Sequence, residues 1–87
     1  MNPEKVWRKL QAGHFANIAF GDLVALLREL GFELDHISGS HHIFRHATLA
    51  VRVNLQPDQS GDAKTYQARQ VLMEAKANGL SLRSGRQ

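Results

Sequence analysis

Between residues 49 and 55 the chain alternates in one register: Leu49, Val51, Val53 and Leu55 are large and apolar, with Ala50, Arg52 and Asn54 between them. This is the period of a β-strand with one face covered. Such a strand cannot stand alone. It needs neighbours to satisfy its backbone and a helical layer to bury its apolar face. At 87 residues the chain is long enough for one core and too short for two. It contains no cysteine, which excludes disulfides, thiolate metal sites and cysteine nucleophiles. Packing of helices on a small sheet must therefore carry the fold.

The partners of that strand lie just upstream. Residues 32–37 and 41–46 read as two further strands joined by the Ser38-Gly39-Ser40 cluster, and connections this short imply an antiparallel meander. Before them, Leu23, Leu26, Leu27 and Leu30 share one helix face while Arg28 and Glu29 point away. Asp22 is the expected cap of that helix and Gly31 its left-handed stop. Residues 56–62 carry the breakers of a loop. A last helix follows over residues 63–78, with Ala68, Val71, Leu72 and Ala75 as its buried stripe and Gly79 as its stop.

At the amino end, Asn2 can cap a further helix with Pro3 in its first turn and Glu4 at the positive dipole end. Val6, Trp7 and Leu10 then share a face, and Gly13 closes the helix. Residues 14–21 hold no clean period and read as a connector whose Phe15, Ile18 and Phe20 pack. Residues 81–87 carry two arginines and no apolar residue after Leu82, the composition of a flexible tail. The fold class is α+β, with helices on one side of the sheet and the other side open. The expected division is a helical extension over residues 1–21, a domain over 22–80 and the tail.

An apolar fraction of 43% and a charged fraction of 22% are those of an ordinary soluble domain. The net charge of +3 allows a positive face suited to polyanions, and equally a solvated surface with a slight cationic surplus. No apolar run approaches a membrane span, and no basic-then-apolar leader opens the chain; with the lack of cysteine, the expected setting is the cytoplasm.

The chemistry concentrates in Gly39-Ser40-His41-His42-Ile43-Phe44-Arg45-His46. A histidine at a strand mouth is held by rigid backbone yet open to solvent, and imidazole is the side chain suited to proton exchange near neutral pH. Three readings compete. A metal site is disfavoured: His42 and His46 share a face but stand about 13 Å apart along a strand, and His41 points to the opposite side. A structural role, in which the rings satisfy local hydrogen bonds, suits His42 and His46 as well as a functional one does. Acid/base work on a phosphodiester is the third. A histidine can deprotonate a ribose 2′-hydroxyl or protonate the departing 5′-oxygen, and because RNA carries its own nucleophile no metal or other cofactor is required. Arg45, Arg52 and Lys64 are candidate phosphate contacts in that reading, with solvated surface charge as the alternative for each.

The run from Leu23 to His46, a leucine-rich helix ending in Leu30-Gly31-Phe32, a strand, and then the glycine-serine-histidine turn, resembles the HicA family of toxin messenger-RNA interferases. The resemblance covers roughly residues 20–80. It implies a double-stranded-RNA-binding-domain-like fold and ribonuclease activity without a metal. It also implies neutralisation by a HicB-type antitoxin that covers the active site. The family's catalytic histidine falls on His41, and Gly39 and Ser40 match the turn that shapes the site. Compact members begin near Asp22, so residues 1–21 are an addition, packed on the core or used for self-association. The Asn54-Leu55-Gln56-Pro57 run resembles a longer subgroup. Many compact members carry a further histidine after the third strand and this chain has none, which leaves His42, His46 and Tyr66 as candidates for a second proton-transfer group. The same fold without cleavage, as an RNA-binding or partner-binding module, is the rival reading.

Overall fold

The computed structural model describes residues 1–82. Six elements follow in order: α1 (Pro3–Gln11), α2 (Phe20–Glu29), β1 (Phe32–Ser38), β2 (His41–His46), β3 (Arg52–Leu55) and α3 (Thr65–Ala77). The strands form an antiparallel sheet in the order β1-β2-β3. The expected α-β-β-β-α core is therefore present, preceded by α1. Helices α2 and α3 pack on β1 and β3 respectively, and α1 lies against both helices. No helix among the described residues is long and apolar enough to cross a membrane.

The register explains the division of labour across the sheet. Phe32 faces His46, Phe44 faces Val53 and His42 faces Leu55 across the ladders. These positions lie on the helix side, where Phe32, Phe44, Val53 and Leu55 join Leu23, Leu26, Leu27 and Leu30 of the α2 segment and Ala68, Val71 and Ala75 of α3 in one core. Glu33 faces Arg45, Ile43 faces Asn54 and Arg45 faces Arg52 on the opposite, open side.

The amino-terminal addition is part of the same core. The Asn2 side chain accepts from the Lys5 N–H at 2.8 Å and starts α1 as expected. Val6, Trp7 and Leu10 are then buried with the leucines of α2. Each such side chain contributes about 1.5–3 kcal/mol of apolar burial, so the apolar side of α1 is spent inside the molecule. Leu82, at the start of the segment expected to fray, is also buried; residues 83–87 of that segment lie outside the described residues.

Two elements differ from expectation. Helix α2 begins at Phe20, with Ala19 as an N-cap lacking a side-chain bond, and Asp22 stands in its first turn instead of capping it. The cause is tertiary: residues 18–20 run beside residues 61–63, Ala63 N–H donating to Ile18 C=O at 2.7 Å and Phe20 N–H to Gly61 C=O at 3.0 Å. That pairing takes the place of a capping side chain. The third strand is shorter than the alternation suggests, because Leu49 and Val51 belong to the loop before β3 and Leu49 is exposed. That loop is closed by hydrogen bonds to His46: its amide donates to Val51 C=O at 3.0 Å, and the ring receives the Thr48 and Leu49 N–H groups at 3.2 Å each.

Candidate active site

The β1–β2 connection is a two-residue turn, Gly39-Ser40, with Ser38 paired to His41. Gly39 has φ +61° while Ser40 keeps a negative φ, the pattern of a II′ turn, whose first central position favours glycine. A Cβ on Gly39 would meet nothing within 4 Å, so the requirement for glycine there is one of backbone conformation alone. This turn delivers His41 to the first position of β2, on the open side, where it is exposed.

The His41 ring reaches across to β3, with Nδ1 3.2 Å from Asn54 Oδ1. Asn54 faces Ile43 in the ladder, so the contact is the diagonal one, two residues back along β2. Nε2 has no protein partner among the described residues. Asn54 belongs to the run that marks the longer subgroup, but its role beside His41 was not evident from composition or motif. The signal was there in the alternation: an odd-numbered histidine on β2 and an even-numbered residue on β3 share the open side once the register is known.

The neighbouring histidines are placed differently. His42 faces the helices, half-buried, with its Nδ1 donating to Ser40 C=O at 3.0 Å and its ring edge-on to Phe20 at 4.9 Å. It stands on the other side of the sheet from His41. His46 lies at the far end of β2, about 16 Å along the strand, and both of its nitrogens are used. Nε2 donates to Leu30 C=O at 3.1 Å, while Nδ1 accepts from the amides of Thr48 and Leu49. The ring also packs perpendicular to Phe32 at 5.1 Å. Gly31 makes room for it: the chain turns there at φ +99°, and a Cβ would lie 2.6 Å from the ring's Nε2.

Tyr66 is exposed on the first turn of α3, where its hydroxyl accepts from Gln67 Nε2 at 3.3 Å. Gln67, the one buried polar side chain among the described residues, accepts the Gln56 N–H at 2.9 Å and so ties the start of α3 to the end of β3. Since Leu55 faces His42, Tyr66 stands at the His41 end of the molecule, though on its helical side. Lys64 precedes α3 at that same end and has no ion pair among the described residues.

Arg45 and Arg52 do lie on the open face, directly opposite one another, but they are not free. Asp35 sits in a bulge between Leu34 and His36 and reaches both arginines. Asp35 stands 3.2 Å from Arg52 Nη1 and 3.6 Å from Arg45 Nε, and Glu33 lies 3.4 Å from Arg45 Nη2. The His36 ring donates to the same Asp35 carboxylate at 2.9 Å. Hydrogen bonds from His36 first and Arg52 second hold the Asp35 carboxyl below its ordinary value. These carboxylates went unnoticed in the sequence because which side chains meet Arg45 and Arg52 across the sheet depends on a strand register that the residues alone do not give. A shallow hollow of about 310 Å³ borders the pair, lined by Arg45, His46, Leu49, Ala50, Val51 and Arg52.

Among the described residues no three His, Asp or Glu side chains stand together as a metal site. The face thus offers two exposed imidazoles, His41 bonded to Asn54 and His36 bonded to Asp35, each with a second nitrogen that has no partner among the described residues, together with two guanidinium groups held by carboxylates toward the other end. Residues 20–77 match the family model for the HicA toxin of bacterial toxin-antitoxin systems. Neither the curated proteins nor the solved structures give a match.

Proposed function

Since the chain belongs to the HicA toxin family, we propose that it is a metal-independent endoribonuclease that cleaves messenger RNA with His41 as its acid/base. The observation that carries this reading is the exposed His41 ring, fixed at the mouth of β2 with one nitrogen free of partners among the described residues. In the reaction, His41 accepts the proton of a ribose 2′-hydroxyl. The 2′-oxygen forms a bond to the adjacent phosphorus as the bond from phosphorus to the 5′-oxygen breaks. The products are a 2′,3′-cyclic phosphate and a 5′-hydroxyl. The leaving 5′-oxygen takes its proton from solvent or from a second side chain. Of the three candidates, His42 faces the helices and His46 is occupied at the far end, which leaves Tyr66 as the exposed group at the His41 end.

Arg45 and Arg52 share the open face with His41, about 13 Å from it along β2 in the case of Arg45, and supply phosphate contacts when RNA displaces or joins their carboxylates. Lys64, which has no ion pair among the described residues, adds a cation at the His41 end. A HicB-type antitoxin that covers the open face would mask the imidazole and both arginines together. The cytoplasm, where messenger RNA is met, is the setting this function requires.

The test is incubation of a long unstructured RNA with purified protein in excess EDTA, followed by analysis of the ends. Fragments with cyclic phosphate and 5′-hydroxyl ends support the mechanism. Binding without cleavage supports a non-catalytic RNA-binding module on the same fold, and cleavage abolished by EDTA would overturn the metal-free reading.

A further inference from the structure

We propose that Asn54 is the positioning residue of His41: its side-chain oxygen holds the proton on Nδ1 and so presents Nε2 as the nitrogen that accepts a proton from substrate. The inference rests on the ribonuclease reading for its catalytic meaning and on geometry for its content. An imidazole on a hydrogen-bond acceptor keeps its proton on the bonded nitrogen, and the other nitrogen becomes the base. Asn54 Oδ1 is an acceptor 3.2 Å from Nδ1.

The placement of Asn54 favours such a role. It sits on β3, one strand over from His41, in the middle of a paired ladder, so its backbone is fixed by the sheet. Its neighbours Val53 and Leu55 are buried in the core, which locks the strand's register and prevents Asn54 from turning to the helical side. The charged and titratable groups sharing the open face are His36 and Glu33 of β1 with the bulged Asp35, Arg45 of β2 and Arg52 of β3. Asp35 is engaged by both arginines and by His36, leaving Asn54 as the side chain that bonds the His41 ring. An amide is suited to this position in a way a carboxylate is not: it orients the ring without adding a negative charge beside the attacking 2′-oxygen and the phosphate.

The experiment compares wild type, Asn54→Ala and Asn54→Asp by two readouts. The first is the long-range proton–nitrogen spectrum of the imidazoles in the free protein, with His41→Ala identifying the His41 signals. The second is single-turnover cleavage of RNA across pH. The expected spectrum shows the neutral His41 ring protonated on Nδ1 in wild type, and a shift towards the Nε2-protonated form in Asn54→Ala. Cleavage by Asn54→Ala falls about tenfold to a hundredfold in kcat with KM little changed. Asn54→Asp keeps the Nδ1 proton and, by its added charge, moves the acid limb of the profile to higher pH; the readout that a purely structural role for Asn54 would leave unmoved is the tautomer shift in Asn54→Ala. A wild-type ring protonated on Nε2, or an Asn54→Ala protein with unchanged tautomer and unchanged rate, overturns the inference. If wild type cleaves nothing, the ribonuclease reading fails, and the spectrum by itself still decides whether Asn54 sets the ring.

Discussion

The two ends of β2 carry the same residue type and use it in opposite ways. His46 has both nitrogens engaged, with the carbonyl of Leu30 just past α2 on one side and two loop amides on the other, and its ring lies against Phe32. His41 has one bond to a side chain of the next strand and one nitrogen open. The difference teaches that a histidine's function is set by how many of its bonds the fold consumes. Five residues along a strand also reverse the face, so His46 looks into the helical layer and His41 away from it.

The largest effect expected from breaking this contrast is on catalysis. His41→Ala lowers the cleavage rate by about 10²–10⁴-fold while the melting temperature stays within a few degrees of wild type, because the ring is exposed and its one bond is to an exposed partner. Side-by-side kinetics and thermal melts check both halves of the statement.

At the other end the effect is on stability. Gly31→Ala forces a positive φ on a residue with a Cβ and drives that Cβ into the His46 ring, costing about 2–3 kcal/mol. His46→Ala alone costs about 1–3 kcal/mol through the lost hydrogen bonds to Leu30, Thr48 and Leu49. The double variant loses less than the sum, since removing the ring also removes the clash. Denaturant unfolding of the four proteins measures the coupling, and strict additivity would mean that the close approach carries no energy.

Gly39→Ala is the smaller backbone counterpart at the His41 end. With open space around the added methyl, only the left-handed conformation is penalised, at about 1–2 kcal/mol. Because the turn sets where His41 begins β2, cleavage falls by more than the loss of folded protein accounts for. Equal losses in stability and activity would show that the turn does not position the ring.

The smallest effect is in acid. The carboxyls of Asp35 and Asp58 are both held below the ordinary value of 3.8, the first chiefly by His36 and Arg52, the second chiefly by the Ser60 hydroxyl and the Asp62 amide. A lowered folded-state value means that the unfolded chain binds more protons in this range. The stabilisation is therefore present above the ordinary carboxylate range and is lost as pH falls through the lowered folded values. Melting temperatures measured from neutral to strongly acidic pH should fall in that window, and Asp35→Asn and Asp58→Asn should each flatten the decline.

Much of this architecture was legible because it follows from local rules. The leucine spacing of α2, the left-handed stop at Gly31 and the stripe of α3 each report a face to be buried, and the core is where they say. The misreadings come from contacts distant in sequence. Asp22 has the chemistry of a cap, but residues 61–63 lie beside the chain ahead of α2 and make one unnecessary. Leu49 and Val51 keep the alternation of a strand, yet His46 gathers their segment into a loop. In the site, the turn and His41 stood out by motif. Asn54 and Asp35 did not, since their contacts with His41 and the arginines run across strands and exist only once register is fixed. The choice between structural and functional roles for His42 and His46 likewise needed the positions of Phe20, Leu30 and Gly31.

The most direct test of the central contrast is cleavage of one RNA, in EDTA, by wild type, His41→Ala and His46→Ala at a temperature where all three are folded. The account predicts that His46→Ala cleaves at a rate close to wild type and that His41→Ala cleaves at least about a hundredfold more slowly. Loss of cleavage in a folded His46→Ala protein with retention in His41→Ala would contradict it.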